Sequence, residues 1–185
     1  MNTKNNLAQI WKNSTYIAVI KVLLGITMLF ASAQIIIPIK PVPITMQTIA
    51  VSLIALTYST RLAFITILSY IIAGIMGLPM FHCFRSGIDG FTGYSGGYLF
   101  GFLIAAPLMS EIKQYLSNKF LGVTFTCLIG HVVIYFFGVL WLAIFIGFKQ
   151  ALYSGLAMYI PSGIVKIAIF SYCYSYIINK KTTNL

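Results

Sequence analysis

The feature that most constrains this chain is a succession of long apolar runs separated by short polar segments. Of the 185 residues, 59% are hydrophobic and only 8% are charged, whereas about a quarter of a soluble domain is charged. A run of about 20 apolar residues can cross a hydrocarbon core about 30 Å thick as a helix. The sequence therefore predicts an all-α integral membrane protein, with room for about six crossings in one domain that covers residues 1–185.

Six transmembrane helices are predicted from these runs and from the residues that bound them. They cover residues 16–37, 44–59, 61–77, 95–110, 121–143 and 161–178, and a short interfacial helix is predicted within 143–158. Gly93, Gly97, Gly101 and Ala105 recur at four-residue intervals, a spacing that lets helix backbones approach closely in lipid. The basic start and Ala-Ser-Ala at 31–33 resemble a signal peptide, but the apolar run is longer than such a peptide needs.

The distribution of charge predicts an orientation in the membrane rather than a nucleic-acid partner. The net charge is +10, but lysines and arginines occur one or two at a time and form no basic stripe. With six crossings, one side holds Lys4, Lys12, Arg61, Lys113, Lys119, Lys180 and Lys181, and the other holds Lys40, Arg85 and Lys149. The positive-inside rule then places both termini in the cytoplasm, in a multi-pass protein of the inner (plasma) membrane.

Three polar or irregular segments fall on the outer side of this topology and predict a ligand pocket there. They cover residues 38–48, 80–94 and 148–162. In the first segment, Pro38, Pro41 and Pro43 exclude a helix and favour a stiff, extended loop, which we interpret as a lid. Irregular backbone at membrane depth is tolerated only where it is buried in protein or lines a cavity. Three such segments on one face therefore indicate a pocket that opens outward.

Lys166 is the residue that points most directly to ligand chemistry. It lies about one turn inside the predicted sixth helix, within an apolar run, and an intramembrane cation marks a functional site by default. Ser162 and Gly163 share its helix face, close to the partial positive charge of the helix N-terminus. These groups predict a site for an anionic or strongly hydrogen-bonding small molecule. The alternative is a lysine whose ammonium group reaches outward to the membrane interface.

The other polar residues support weaker predictions. Gln47 either contacts a ligand or caps its helix, Tyr98 either contacts it or packs, and Arg85 either covers a carboxylate or stays solvated. His82 and His131 are too few and too far apart for a metal site. No GxxxxGK[ST] motif for ATP hydrolysis occurs, and neither acidic residue lies within a predicted helix. We therefore predict a binding protein with no cofactor, no metal and no energy source of its own.

Four short motifs, in order along the chain, carry a family resemblance. They are Pro-Val-Pro-Ile-Thr-Met-Gln-Thr at 41–48, Gly-Leu-Pro-Met-Phe at 77–81, Gly-Gly-Tyr-Leu-Phe-Gly-Phe at 96–102 and Trp-Leu-Ala at 141–143. They resemble the BioY family, the biotin-binding membrane subunits of energy-coupling-factor (ECF) transporters, over nearly the whole chain. The resemblance implies six helices, capture of biotin from outside, and a transmembrane coupling subunit with two ATPases as partners. It also implies that the subunit topples in the membrane to deliver the vitamin inward.

The resemblance completes the set of candidate site residues. The substrate-binding candidates are Thr45, Gln47, Arg85, Gly96, Gly97, Tyr98, Ser162, Gly163 and Lys166, and the lid contains Pro41, Val42 and Pro43. ATP would be used only by the partner subunits, and biotin would be the ligand.

The chain departs from the family pattern in three places. Gly-Tyr-Ser-Gly-Gly-Tyr at 93–98 stands where the family usually has Gly-Pro-Thr-Gly-Gly-Tyr. The sixth helix begins Pro-Ser-Gly-Ile-Val-Lys at 161–166 where the family has Pro-Gly-Asp-x-x-Lys. Gly163 thus replaces an aspartate whose implied partners are the ureido N–H groups of biotin. The family's Ala-x-x-x-Ala contact for the coupling subunit is present only as Ala18-x-x-x-Val22.

Three other functions are alternatives to a biotin uptake subunit. A solitary carrier or facilitator for biotin or another small vitamin would need no coupling partners. An intramembrane enzyme would need a nucleophile, base or metal constellation on facing helices, and two isolated histidines do not provide one. A structural assembly protein would not need three polar segments on one face. We therefore interpret the chain as a substrate-binding subunit and not as an enzyme.

Overall fold

The computed structural model describes residues 3–117 and 119–183 and is mainly helical. Its helices are α1 (Thr3–Gln34), α2 (Gln47–Thr57), α3 (Thr60–Ile75), α4 (Gly87–Thr92), α5 (Gly96–Ile112), α6 (Phe120–Ile146), α7 (Phe148–Leu152) and α8 (Ile160–Thr183). A 3₁₀ turn covers His82–Phe84 and a π-helical turn covers Tyr153–Ala157. Two short strands, β1 (Ile36–Ile37) and β2 (Ile44–Thr45), pair antiparallel.

The described helices have the lengths and apolar composition of a membrane protein. Three segments are long and apolar enough to cross a bilayer, and they are Ser14–Gln34, Phe120–Ile146 and Phe148–Ile178. Three shorter apolar helices cover Gln47–Thr57, Thr60–Ile75 and Gly96–Ile112. The number of crossings stays a prediction, and so does the orientation. The side chains of Lys4, Lys12 and Lys181, on which the charge argument also depends, lie outside the described residues.

The largest difference from the predicted boundaries lies in the proline-rich segment. The sequence predicts that the first helix runs to residue 37 and that the second starts at residue 44. Instead Ile36 pairs with Thr45 and Ile37 with Ile44, so that the segment is a β-hairpin. α2 is consequently only 11 residues long, about 16 Å at 1.5 Å per residue. The prolines explain why the helix stops, because each one lacks an N–H donor and keeps its predecessor extended.

The predicted irregular segment at residues 148–162 is also different in the structure. α6 continues to Ile146, and Gly147, with φ of +80°, makes the turn into α7. The π-helical turn follows, and α8 starts at Ile160. The short helix predicted within residues 143–158 is therefore present as α7, whereas the π-helical turn replaces the predicted loop. The loop was predicted from Gly147, Lys149 and Gly155, and a glycine at a turn does not stop a helix from forming on either side.

α5 and α6 approach each other closely along the row of small residues. A side chain at Gly97 would place its Cβ 2.2 Å from the Cβ of Trp141 and 2.4 Å from the carbonyl oxygen of Phe137. At Gly101 the Cβ would lie 2.9 Å from the Cα of Ile134. Only hydrogen fits at these two positions, so the close helix contact that the four-residue spacing predicts is confirmed.

The end of α2 opposite the hairpin is fixed by side chains of α5 and the segment after it. Lys113 donates hydrogen bonds from Nζ to the carbonyl oxygens of Ala55 (3.1 Å) and Tyr58 (2.8 Å). The hydroxyl of Ser110 also donates to Tyr58, at 2.8 Å. Burial lowers the pKa of Lys113. These bonds satisfy carbonyls that a helix end leaves without partners, and they position the short α2 so that its first residues reach the hairpin.

Candidate ligand site

Residues from all three segments that the sequence places on the outer face line a common cavity. Val42 comes from the hairpin, His82 from the 3₁₀ turn and Tyr159 from the turn that precedes α8. The cavity has a volume of about 40 Å³, measured as the space open to the centre of a water-sized sphere. By that measure it holds about three water molecules. A vitamin-sized ligand therefore needs the walls to move apart.

The hairpin forms one wall of this cavity. Val42, Pro43, Ile44 and Thr45 line it, and the side chains of Val42 and Ile44 are buried. The hydroxyl of Tyr159 donates a hydrogen bond to the carbonyl oxygen of Val42. Lys40 lies at the exposed turn of the hairpin. The segment thus has the position of a lid, with Val42 and Ile44 turned inward and a hydrogen bond joining it to the residue that precedes α8.

Lys166 extends into the protein and not toward the membrane interface. It lies in the second turn of α8, its side chain is 9% exposed, and its Nζ donates a hydrogen bond of 2.7 Å to the carbonyl oxygen of Thr45. That carbonyl is its hydrogen-bond partner among the described residues, and no carboxylate in the described part of the chain lies within ion-pair distance. An ammonium group has three donors, so two remain for a ligand.

Gln47 connects the hairpin with the segment that follows α3. Its side-chain nitrogen donates to the hydroxyl of Tyr70 at 2.9 Å, and that hydroxyl donates to the carbonyl oxygen of Met80 at 2.7 Å. The hydroxyl of Thr45 donates to Oε1 of Gln47 at 3.1 Å. Gln47 is buried and lines the cavity. Gln47 is also the first residue of α2, so it both lines the cavity and helps to fix the start of that helix.

Five of the polar residues in the cavity wall are absent from the sequence candidates. They are Thr48, His82, Ser95, Tyr135 and Tyr159. His82 Nε2 lies 3.2 Å from the hydroxyl of Ser95, while the hydroxyl of Thr48 and Nδ1 of His82 are buried without a partner among the described residues. Burial, and to a smaller extent the positive charge of Arg85, lowers the pKa of His82. His82, Ser95 and Thr48 therefore add an imidazole and two hydroxyls to the cavity wall.

The sequence candidates divide into two groups. Thr45, Gln47, Tyr98 and Lys166 line the cavity, together with Val42 and Pro43 of the lid. Pro41, Arg85, Gly96, Gly97, Ser162 and Gly163 are not part of its wall. Their role in binding stays a prediction.

The six candidates outside the wall have other surroundings. Arg85 is exposed to solvent. Gly96 and Gly97 pack against Trp141, and the hydroxyl of Ser162 donates to the carbonyl oxygen of Tyr159 at 2.9 Å. Gly163 contacts Tyr135.

No metal site is visible in the residues described. Neither 3–117 nor 119–183 brings three or more histidine, cysteine or acidic side chains together. The groups present in the cavity are an ammonium, an imidazole, amides and hydroxyls, and such groups are suited to binding a polar organic molecule by hydrogen bonds.

Comparison with known sequences gives a consistent result. The model of the BioY family matches residues 2–182. The probable biotin transporter BioY of Rickettsia prowazekii (strain Madrid E) is 51% identical over 178 residues, which are 96% of this chain and 92% of that protein. The probable biotin transporter BioY of Pyrococcus horikoshii is 39% identical over 150 residues, which are 80% of this chain and 87% of that protein.

Comparison with solved structures gives the fold. The crystal structure of the S-component for biotin from an ECF-type ABC transporter superimposes with a TM-score of 0.73. The match covers 97% of this chain and 95% of that one, at 22% sequence identity. The two chains therefore share one architecture along almost their entire length.

Proposed function

This chain belongs to the BioY family, and we propose that it takes up biotin as the membrane-embedded substrate-binding subunit of an ECF transporter. It captures biotin from the extracytoplasmic side and delivers it inward together with a transmembrane coupling subunit and two ATPase subunits. It is a transporter component and not an enzyme. It acts as one six-helix domain of the plasma membrane with both termini in the cytoplasm. It uses no cofactor, and ATP is consumed only by its partners.

The observation that carries this proposal is the buried cation of Lys166 behind the hairpin. Burying an ammonium group without a counter-ion is costly, and the carbonyl of Thr45 satisfies only one of its three donors. A ligand with strong acceptors, such as the ureido oxygen or the carboxylate of biotin, offsets that cost. A polar ligand therefore binds more favourably in this site than it would in a cavity with a wholly apolar wall.

Saturable binding of radiolabelled biotin to the purified protein tests the proposal. We expect unlabelled biotin to compete and an excess of thiamine or riboflavin to leave binding unchanged. Failure to detect saturable binding by a protein that elutes as a single folded species in detergent would overturn the proposed function.

A solitary biotin carrier is the second candidate, because the contact motif for the coupling subunit is present only as Ala18-x-x-x-Val22. Proteoliposomes that contain this chain alone separate the two candidates. Uptake that exceeds binding stoichiometry would favour the solitary carrier. Uptake only after addition of a coupling subunit and ATPases would favour the ECF subunit.

The hairpin is expected to open for ligand entry and to become ordered when biotin is bound. A single cysteine introduced as Lys40→Cys, with the two exposed native thiols removed by Cys83→Ser and Cys173→Ser, reports this motion. We expect an impermeant thiol reagent added outside to react several-fold more slowly with saturating biotin. Adding Tyr159→Phe, which removes the hydrogen bond to Val42, should raise the rate measured without biotin.

Lys149→Cys is the matched control for the lid experiment. Lys149 is exposed like Lys40 and lies on the same predicted side of the membrane, but it is not part of the hairpin. Its labelling rate should not depend on biotin. Equal rates at residue 40 with and without biotin would contradict a lid, and labelling only from the cytoplasmic side would overturn the topology.

A further inference from the structure

The hydroxyl of Tyr135 occupies the space beside Gly163 that a side chain at this position would need. Tyr135 lies in α6 and Gly163 in the first turn of α8. A Cβ atom at Gly163 would lie 2.6 Å from the Tyr135 hydroxyl oxygen, while Cζ of the ring would be 3.5 Å away. The first distance is too short for any side chain and the second is ordinary contact. Only the hydroxyl, and not the ring, therefore depends on glycine at position 163.

Neighbouring aromatic rings hold Tyr135 in this place. Its ring makes edge contacts with His131, at 5.8 Å between centroids, and with Tyr159, at 6.2 Å. Such edge contacts are the preferred geometry of aromatic pairs. Tyr159 also donates a hydrogen bond to the hairpin, so the position of the Tyr135 ring is connected to the closed position of the lid.

The Tyr135 hydroxyl has no hydrogen-bond partner among the described residues. The residue lines the cavity beside Tyr159 and Lys166, and its hydroxyl makes no hydrogen bond to any other residue in 3–117 or 119–183. The hydroxyl of a partly buried tyrosine usually takes a hydrogen-bond partner, and a ligand in the cavity can supply one here. The hydroxyls of three other tyrosines, Tyr70, Tyr98 and Tyr159, all donate to backbone carbonyls.

We propose that Tyr135 is a specificity-determining residue whose hydroxyl forms a hydrogen bond with the bound ligand, and that Gly163 is required to keep the hydroxyl in reach. The inference rests on the proposed function. A phenol both donates and accepts, whereas the ammonium of Lys166 only donates. The pair therefore fits a neutral group that carries N–H and C=O together, and in biotin that group is the urea of the bicyclic ring.

A double-mutant cycle with Tyr135→Phe and Gly163→Ala tests the contact through biotin affinity. Losing one neutral hydrogen bond corresponds to about a two- to tenfold weaker affinity, and we expect this for Tyr135→Phe. Gly163→Ala should weaken binding at least as much, because the new Cβ displaces the hydroxyl. In the Tyr135→Phe background, Gly163→Ala should cost less than about twofold, since the group it displaces is gone.

Two controls keep the cycle interpretable. Tyr153→Phe removes the hydroxyl of a tyrosine that is 68% exposed and should leave biotin affinity unchanged. Thermal unfolding without biotin should be unaffected by Tyr135→Phe, because the hydroxyl has no partner in the protein. Should Gly163→Ala fail to fold, the Tyr135→Phe affinity decides the question alone.

A ligand analogue locates the contact on biotin. With biotin methyl ester, which lacks the carboxylate but keeps the urea, Tyr135→Phe should cause the same fold-loss as with biotin. An effect that disappears with the ester would place the hydroxyl at the carboxylate and overturn the assignment. Unchanged affinity of Tyr135→Phe, or losses that multiply in the double mutant, would overturn the contact while leaving the proposed function intact. A parent chain that does not bind biotin would overturn both.

Discussion

Replacing Lys166 with methionine is expected to weaken biotin binding about ten- to a hundredfold while leaving the protein folded. A hydrogen bond that involves a charged group contributes about 1.5–3 kcal/mol, and this range corresponds to that loss of affinity. Methionine has nearly the same volume as lysine and is apolar, so the wall of the cavity is retained without the cation. Removing the cation also removes the cost of burying it, so that the stability of the variant should not fall.

The same substitution has a second consequence that follows from the structure. Lys166 bonds the carbonyl oxygen of Thr45 in the hairpin, so Lys166→Met should also loosen the lid when no ligand is bound. Lys149→Met is the matched control, because Lys149 is exposed and is not part of the cavity wall. Unchanged biotin affinity in Lys166→Met would show that the cation does not contact the ligand, whatever the labelling rate of the lid.

The helical frame of this protein could be predicted from the sequence because its signals are local. Length and apolar composition identify the membrane helices. The four-residue spacing of Gly97 and Gly101 correctly indicates where α5 meets α6. The hairpin could not be predicted, because Ile36–Ile37 and Ile44–Thr45 are strands of two residues each. So short a strand has no alternation to detect, and it is defined only by its partner.

The candidate site was predictable in part for the same reason. Lys166 is conspicuous as a cation in an apolar run, and the structure places it in the cavity. Tyr135 is followed by Phe136 and Phe137, and nothing in that aromatic run marks one ring as facing a ligand. In the sequence, His82 is only a loop residue, and its contact with Ser95 is formed by the fold. Such pairings are tertiary, so one sequence without its fold does not contain them.

Gly163→Asp is expected to weaken biotin binding at least as much as Tyr135→Phe, by about two- to tenfold or more, although the family pattern has an aspartate at this position. From the sequence alone, the acid should help, since it gains Lys166 three residues later and the partial positive charge of the helix N-terminus. The structure reverses the expectation. A Cβ at residue 163 lies 2.6 Å from the Tyr135 hydroxyl, so the ring must move, and the ring is part of the cavity wall. Overpacking of this kind costs about 1–3 kcal/mol of folding stability, and the displaced ring no longer holds the Tyr135 hydroxyl in place for the ligand.

The double variant Gly163→Asp with Tyr135→Phe separates the steric effect from the electrostatic one. Phenylalanine keeps the ring, whose Cζ is 3.5 Å from the new Cβ, and removes the atom that collides. The carboxylate can then accept the ureido N–H groups beside Lys166, so we expect binding at least as tight as that of the parent chain. Biotin titrations of the four proteins at matched folded fraction measure this. Tighter binding by Gly163→Asp alone would show that Tyr135 moves aside at little cost, and equally weak binding by the double variant would show that the backbone at residue 163, and not the hydroxyl, excludes the acid.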